Sequence, residues 1–343
     1  MEADHQHHRR GVYGRPKWKS TCRLSVASLD AYPAFGLMVV NPTAYDGLIT
    51  NALCAKFLMQ GNFHRGRFLS NSSLQEIIAC IGYPVAGNPT QFVMERAFHA
   101  AGVDSRCLTL DVPPEDLETA LRGMVAMGFC GATLACPHQG PASKLVDERS
   151  KVAEALGEID LIHRDGEKLV GDHSLVHAVT QVLSRQVDIG GKHAILFGDG
   201  HLVTAITLAL CLAAPEKVTL FAKDDAASES TRELISQYSA TKIEIQPWLD
   251  SWTIPSSASI LIATGADKMP FDLDSLSNAT VILDTDYQMP RTAFIKAGEE
   301  AGCTCITGLD LLVQQASVAF HSWTGLTPDL RLMREAFEEF LML

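Results

Sequence analysis

The chain has no C-x-x-C pair, no apolar run long enough to span a bilayer and no excess of basic charge. Its nine cysteines, an odd number scattered over 343 residues, suit free thiols in a reducing compartment better than a disulfide framework. The longest apolar bursts, such as 35–40, fall far short of the ~20 residues a membrane helix needs. Lys and Arg number 28 against 40 Asp and Glu, a formal net charge of −12. Such a surface repels nucleic acid and anionic membrane, so the expected partner is a small molecule and neither of these. Residues 1–23 lack the apolar stretch of a secretory leader and are rich in His, Arg and Lys, so cytoplasmic residence is the expectation.

What the chain does have is enough apolar content, 47%, for a full core and enough length for two domains. Residues 1–75 read as a partly disordered extension, polar and basic at first and then broken by Pro33, Gly36, Pro42 and Gly47. From residue 76 strands alternate with helices. Apolar runs at 77–81, 107–112 and 131–135 read as strands, 89–101 has helical spacing, and Pro113-Pro114-Glu115-Asp116 opens a helix. A second alternating series runs from 190, with strands at 193–197, 218–222, 243–245, 260–263 and 281–283 and helices between them. Helical stretches at 308–323 and 328–342 close the chain, the last one capped by Thr327. The fold class is therefore α/β in two domains. An N-terminal α/β domain (76–175) precedes a Rossmann-like doubly wound domain (176–307), and helices 308–343 close the chain.

Gly198-Asp199-Gly200-His201-Leu202-Val203 follows a strand and opens a helix, the context in which glycines let a backbone approach a pyrophosphate. The third glycine position of that fingerprint holds Val203. At the end of the next strand Lys223 favours the 2′-phosphate of NADP, while Asp224 and Asp225 pull toward NAD, so the choice stays open.

The residues from Thr307 to Ala316, with Phe320, Trp323-Thr324-Gly325 and Pro328, resemble the C-terminal signature of shikimate dehydrogenases. Asp284, Tyr287 and Thr292 are similar to that family's Asp-x-x-Tyr stretch and the Thr after it. Residues 131–139 resemble its G-x-N-V-T-I-P-H-K segment and 171–175 its G-x-N-T-D. The resemblance implies a substrate domain, a nucleotide domain, NADP as cofactor, and reduction of 3-dehydroshikimate to shikimate on the way to aromatic amino acids. It also implies substrate contacts at Asn88, Thr90, Thr133, Tyr287 and Gln315, and cofactor contacts at Gly198, Gly200, Lys223, Thr264 and Gly308.

The two positions where the family carries its catalytic Lys and Asp hold Gln139 and Leu175. An amide has no labile proton and an aliphatic chain has neither charge nor proton, which predicts weak or absent shikimate oxidation. Whether the chain is an enzyme at all is left open by that exchange. His173, with His177 one turn on, Asp172 adjacent and His138 expected across the cleft, is a candidate replacement for proton transfer; no metal site is expected. Asp172 reads as the N-cap of the helix that follows. The alternatives are an oxidoreductase acting on another small hydroxyacid or ketone through a rebuilt His-based site, and a non-catalytic binding or regulatory homologue, as monomer or homodimer.

Overall fold

The computed structural model describes residues 75–343 except 199, 223, 249–251, 266–268, 270 and 290. The reading of 1–74 lies outside the described residues. The first half builds β1 (Glu76–Gly82), α1 (Thr90–Ala101), β2 (Ser105–Asp111), α2 (Leu117–Met127), β3 (Gly131–Leu134), the short α3 (Gln139–Ser143), β4 (Glu148–Arg149), α4 (Lys151–Leu156), β5 (Leu161–Asp165) and β6 (Lys168–Asp172). The six strands form one sheet in the order β2-β1-β3-β5-β6-β4.

Central β1 is buried along nearly its whole length, which is why it reads as an unbroken apolar run. The sheet is not purely parallel, as simple alternation suggested. β5 runs antiparallel to both β3 and β6. The cause is local: Asp165 pairs with Lys168, leaving a two-residue turn with Gly166 at φ +64°, too short for anything but a hairpin.

The second half begins with α5 (Ser174–Ser184) and continues through β7 (His193–Gly198), α6 (His201–Leu212), β8 (Lys217–Ala222), α7 (Asp225–Ser236), β9 (Lys242–Pro247), β10 (Ala258–Thr264), β11 (Val281–Asp284), α8 (Ala293–Glu300) and β12 (Thr304–Ile306). These strands form a second sheet, β12-β11-β10-β7-β8-β9, in which every pairing is parallel. β7 and β10 are buried over most of their length. The helix α6 buries eight of its twelve residues, consistent with a helix apolar around most of its circumference.

α9 (Gly308–Thr324) and α10 (Leu330–Leu341) end the chain. Thr307 caps α9 in a reciprocal capping box with Asp310. α10 is capped by Asp329, whose carboxylate accepts the Arg331 and Leu332 N–H groups, rather than by Thr327 as the sequence suggested. Both helices return to the first sheet. Leu309, Val313, Phe320 and Trp323 of α9 and Met333 and Phe337 of α10 share a core cluster with Ile78, Phe98 and Leu161. The Trp323 indole N–H donates to the Ile162 carbonyl at 3.0 Å. α5 packs against both α9 and α6, so it links the two halves. The seven described cysteines are all free, with Cys80, Cys107 and Cys211 buried and Cys136 exposed. Among the described residues no helix is long and apolar enough to cross a membrane.

Candidate active site at the start of the linking helix

The start of α5 leaves backbone N–H groups that need acceptors. His173 occupies the N-cap position, but its side chain makes no capping bond. The acceptor is Asp160, the residue before β5. Its carboxylate takes the Ser174 N–H on Oδ1, and on Oδ2 the Ser174 hydroxyl at 2.9 Å and the Leu175 N–H at 3.1 Å. A negative charge here also faces the positive end of the helix dipole. Gln315 Nε2 donates to the same Oδ2 at 3.1 Å from α9, and His173 Nδ1 stands 3.5 Å from it. Asp160 is 4% exposed and His173 is 3% exposed.

Asp172 is not the cap that sequence reasoning expected. Its Oδ1 accepts the Ser150 hydroxyl at 2.5 Å and the His173 N–H at 2.8 Å, and its Oδ2 lies 3.0 Å from His177 Nε2. Burial alone would push the Asp172 carboxyl up. The hydrogen bond and charge of His177, the Ser150 hydroxyl and the His173 N–H instead bring it down to about 2. Burial works against a charged His177 too, yet the bond and charge of Asp172, with the charge of Asp160, hold its imidazolium above the ordinary histidine range.

The four-residue group expected from His138, Asp172, His173 and His177 is thus split. His177 belongs to Asp172 and His173 faces Asp160, while His138 is fully buried with Nε2 2.8 Å from the Val112 carbonyl. Among the described residues no three His, Cys, Asp or Glu side chains are grouped to hold a metal ion.

Gln139 and Leu175, the positions the sequence resemblance sets against a catalytic Lys and Asp, carry no proton-transferring group. Gln139 opens α3, its Nε2 donating to the Leu134 carbonyl at 3.1 Å while its own carbonyl accepts from Ile159. Leu175 is 6% exposed and packs in the core cluster that also contains Val176 and Val179 of α5 and Val203, Ile206 and Leu210 of α6.

Three of the expected substrate residues lie together. Cys80 and Thr133 are register partners on β1 and β3, and the Thr133 and Thr90 hydroxyls face the Cys80 thiol, whose pKa burial raises. Thr133 Oγ1 is otherwise buried without a partner. Asn88 accepts the Thr90 N–H at 2.9 Å and so opens α1. Tyr287 is half-buried in the loop after β11. The backbone there lies so close to Gly308 that a Cβ on that glycine would sit 2.6 Å from the Tyr287 nitrogen.

At the other side of α5, the second sheet reverses its strand order between β7 and β10, the place where doubly wound folds open a crevice. Gly198 has φ +138°, and a Cβ there would fall 1.9 Å from Thr264 Oγ1. That hydroxyl reaches the Phe197 carbonyl at 3.3 Å, so Thr264 ties β10 to β7 beneath the turn. Gly200 has φ +90° with open space where its Cβ would be, and α6 starts without a side-chain cap. An open glycine turn leading into an uncapped helix start fits a pyrophosphate. Asp199 and Lys223 lie outside the described residues. Asp224 spends its carboxylate on the Ala226 and Ala227 N–H groups as the cap of α7.

These features define the class: a two-sheet α/β protein whose second sheet is a dinucleotide-binding fold. Residues 80–162 match the family described as the shikimate dehydrogenase substrate binding domain. A shikimate dehydrogenase (NADP(+)) of a Ruegeria species is 27% identical over 260 residues, spanning 73% of this chain and 93% of the relative. A ligand-free 5-ketofructose reductase of a Gluconobacter species superposes with a TM-score of 0.74 at 27% identity, over 78% of this chain and 99% of the other. Shikimate 5-dehydrogenase of Listeria monocytogenes, solved with shikimate and NAD, shares the fold at a TM-score of 0.71 and 23% identity, over 78% and 97% of the two chains. Over most of its length the chain is similar to shikimate dehydrogenases, and residues 80–162 match their substrate binding domain.

Asp160 is the residue sequence reasoning missed. The signal available was Asp165-Gly166, whose hairpin sets Leu161 opposite Asp172 and so brings Asp160 to the head of α5.

Proposed function

We propose that this chain keeps the family's two-lobed NADP scaffold, with 76–175 as substrate lobe, 176–307 as nucleotide lobe and 308–343 as closing helices, and that it does not oxidise shikimate at an ordinary enzymatic rate. One observation carries the reading. Gln139 is bonded to a backbone carbonyl and Leu175 is sealed in an apolar core, so neither can hold or move the proton that accompanies hydride transfer. Losing a positioned acid–base group costs about 10²–10⁴ in rate, and losing the charge beside the reacting oxygen adds to that. The nicotinamide of a bound cofactor would supply the hydride chemistry. The chain's own contribution is the turn at Gly198 and Gly200, which supports seating the pyrophosphate. The test is purified protein with shikimate and NADP⁺, followed by the absorbance of reduced nicotinamide. Turnover of about 1 s⁻¹ or faster, the lower edge of ordinary enzymes, refutes the reading.

A second reading has its own support. His173 presents Nδ1 toward the Asp160 carboxylate, while Nε2 has no hydrogen-bond partner among the described residues. A buried imidazole 3.5 Å from a carboxylate, with no hydrogen bond at Nδ1, is free to exchange a proton with a ligand. With the likeness to a 5-ketofructose reductase, this supports an oxidoreductase acting on another small ketone or alcohol. Under this reading His173→Ala abolishes turnover of the substrate found in a panel of such compounds and leaves NADPH binding intact. Failure of NADPH to bind, seen in a fluorescence titration, removes both readings.

A further inference from the structure

We propose that Gln91 and Glu95 guard the outer edge of the first sheet, and that without them β2 pairs with the β2 strand of a second copy of this chain. Among the described residues β2 pairs with β1 alone, so its other side is an open row of backbone donors and acceptors. Two of those donors are taken by side chains of α1. Glu95 Oε1 accepts the Cys107 N–H at 2.7 Å, and Gln91 Oε1 accepts the Thr109 N–H at 2.8 Å. The spacings match. Acceptors four residues apart on a helix are separated by about 6 Å along its axis, and donors two residues apart on a strand by about 6.7 Å. The earlier acceptor meets the later donor, so helix and strand run in opposite directions and the two rows stay in step. Glu95 is also held from the strand itself, because its Oε2 takes the Arg106 guanidinium at 2.7 Å.

The other three edges of the two sheets are blunted by different means. β4 has two residues and β12 three, too short to template a partner. β9 ends on Pro247 and carries Lys242 and Glu244, which form an ion pair at 2.6 Å. β2 has none of these protections. It is seven residues long, contains neither Pro nor Gly, and its single Arg and single Asp cancel in charge. Leu108, at its middle, is 37% exposed. That composition favours pairing with a copy of itself. A two-fold axis beside β2 would give an antiparallel pair drawing on the same residues of both chains. The Gln91 and Glu95 oxygens occupy the places that the partner's carbonyls would need.

Light scattering after size exclusion of the whole chain, over a wide concentration range, reads the mass. Gln91→Ala with Glu95→Ala keeps good helix formers in α1 and frees both strand donors. The double variant should self-associate about tenfold or more tightly than wild type, since pairing gives those donors acceptors again. Adding Thr109→Pro, a residue an edge strand tolerates, removes one donor and should return the mass to that of wild type. Glu95→Gln by itself keeps an acceptor and should behave as wild type. A folded double variant with unchanged self-association overturns the proposal, as does association that survives Thr109→Pro or appears equally in Glu95→Gln. Where the double variant does not fold, amide hydrogen exchange of the wild-type chain decides. The Cys107 and Thr109 amides should exchange at least about tenfold more slowly than in an unfolded peptide, and unprotected rates at both overturn the guarding role.

Discussion

An aspartate placed at position 175 should destabilise the protein rather than serve as a proton-handling group. Leu175 is 6% exposed within the cluster between α5 and α6, so its removal forfeits about 2–3 kcal/mol of apolar burial. The new carboxyl would stand next to an existing one, because the Leu175 N–H already lies 3.1 Å from Asp160 Oδ2. Burial and the like charge would both raise its pKa, adding roughly 1–3 kcal/mol of cost at neutral pH. The total is about 4 kcal/mol for Leu175→Asp, with Leu175→Asn bearing only the apolar loss and the unpaired amide. Urea unfolding at pH 7 and pH 5 measures both. A carboxyl whose folded pKa is raised costs stability above that pKa and stops costing below it. The gap between the Asp and Asn variants should therefore narrow as pH falls. Leu175→Asp within about 1 kcal/mol of wild type would show that the position has room for a carboxylate, and the account of a sealed position would be wrong.

Gly198→Ala places a Cβ 1.9 Å from Thr264 Oγ1 and 2.5 Å from its carbonyl, at a φ of +138°, and should cost about 2 kcal/mol or more in thermal unfolding. Thr264→Ala should relieve it only in part, since the carbonyl remains. The Asp172–His177 pair should stabilise most between the unfolded pKa values of its partners. Asp172, lowered from 3.8 to about 2, loses its contribution as pH falls through that range, and His177, raised above 6.5, loses its contribution as pH climbs past its folded value. The stability difference between wild type and His177→Phe, roughly 2 kcal/mol at its plateau, should fall at both ends of a pH series, and a flat profile would contradict the pairing. Trp323→Phe removes the indole donor from the buried Ile162 carbonyl and should cost about 1–3 kcal/mol, read by denaturant unfolding.

The second sheet was the more legible half of the chain. Parallel strands covered on both faces read as plain apolar runs, and β7, β8, β10 and β11 fall within a residue or two of those runs. β4, β5 and β6 escaped notice because their sequences mix apolar residues with His163, Arg164, Asp165 and Lys168, which lie half-buried or exposed near one edge of the first sheet. That omission carried through to the site. Asp172, His173 and His177 are neighbours along the chain and looked like one cluster. Strand pairing separates them, setting His173 against Asp160, thirteen residues away, and leaving His177 to Asp172. Register is a property of two strands at once, and no local pattern reports it. Gln139 and Leu175 could be singled out from sequence, but the carbonyl that holds one and the core that holds the other depend on chain segments brought together by folding.

The return of α9 and α10 to the first sheet has a consequence for how the molecule is made. A face of that sheet, at Ile78, Cys107 and Leu161, is closed by side chains translated after residue 308. A growing polypeptide that has emerged only as far as β12 still shows this apolar face to the surroundings, however complete the sheet behind it. The earlier half must wait for α9 and α10 to leave the ribosome, and a nonsense mutation near residue 308 would deprive the first sheet of its cover.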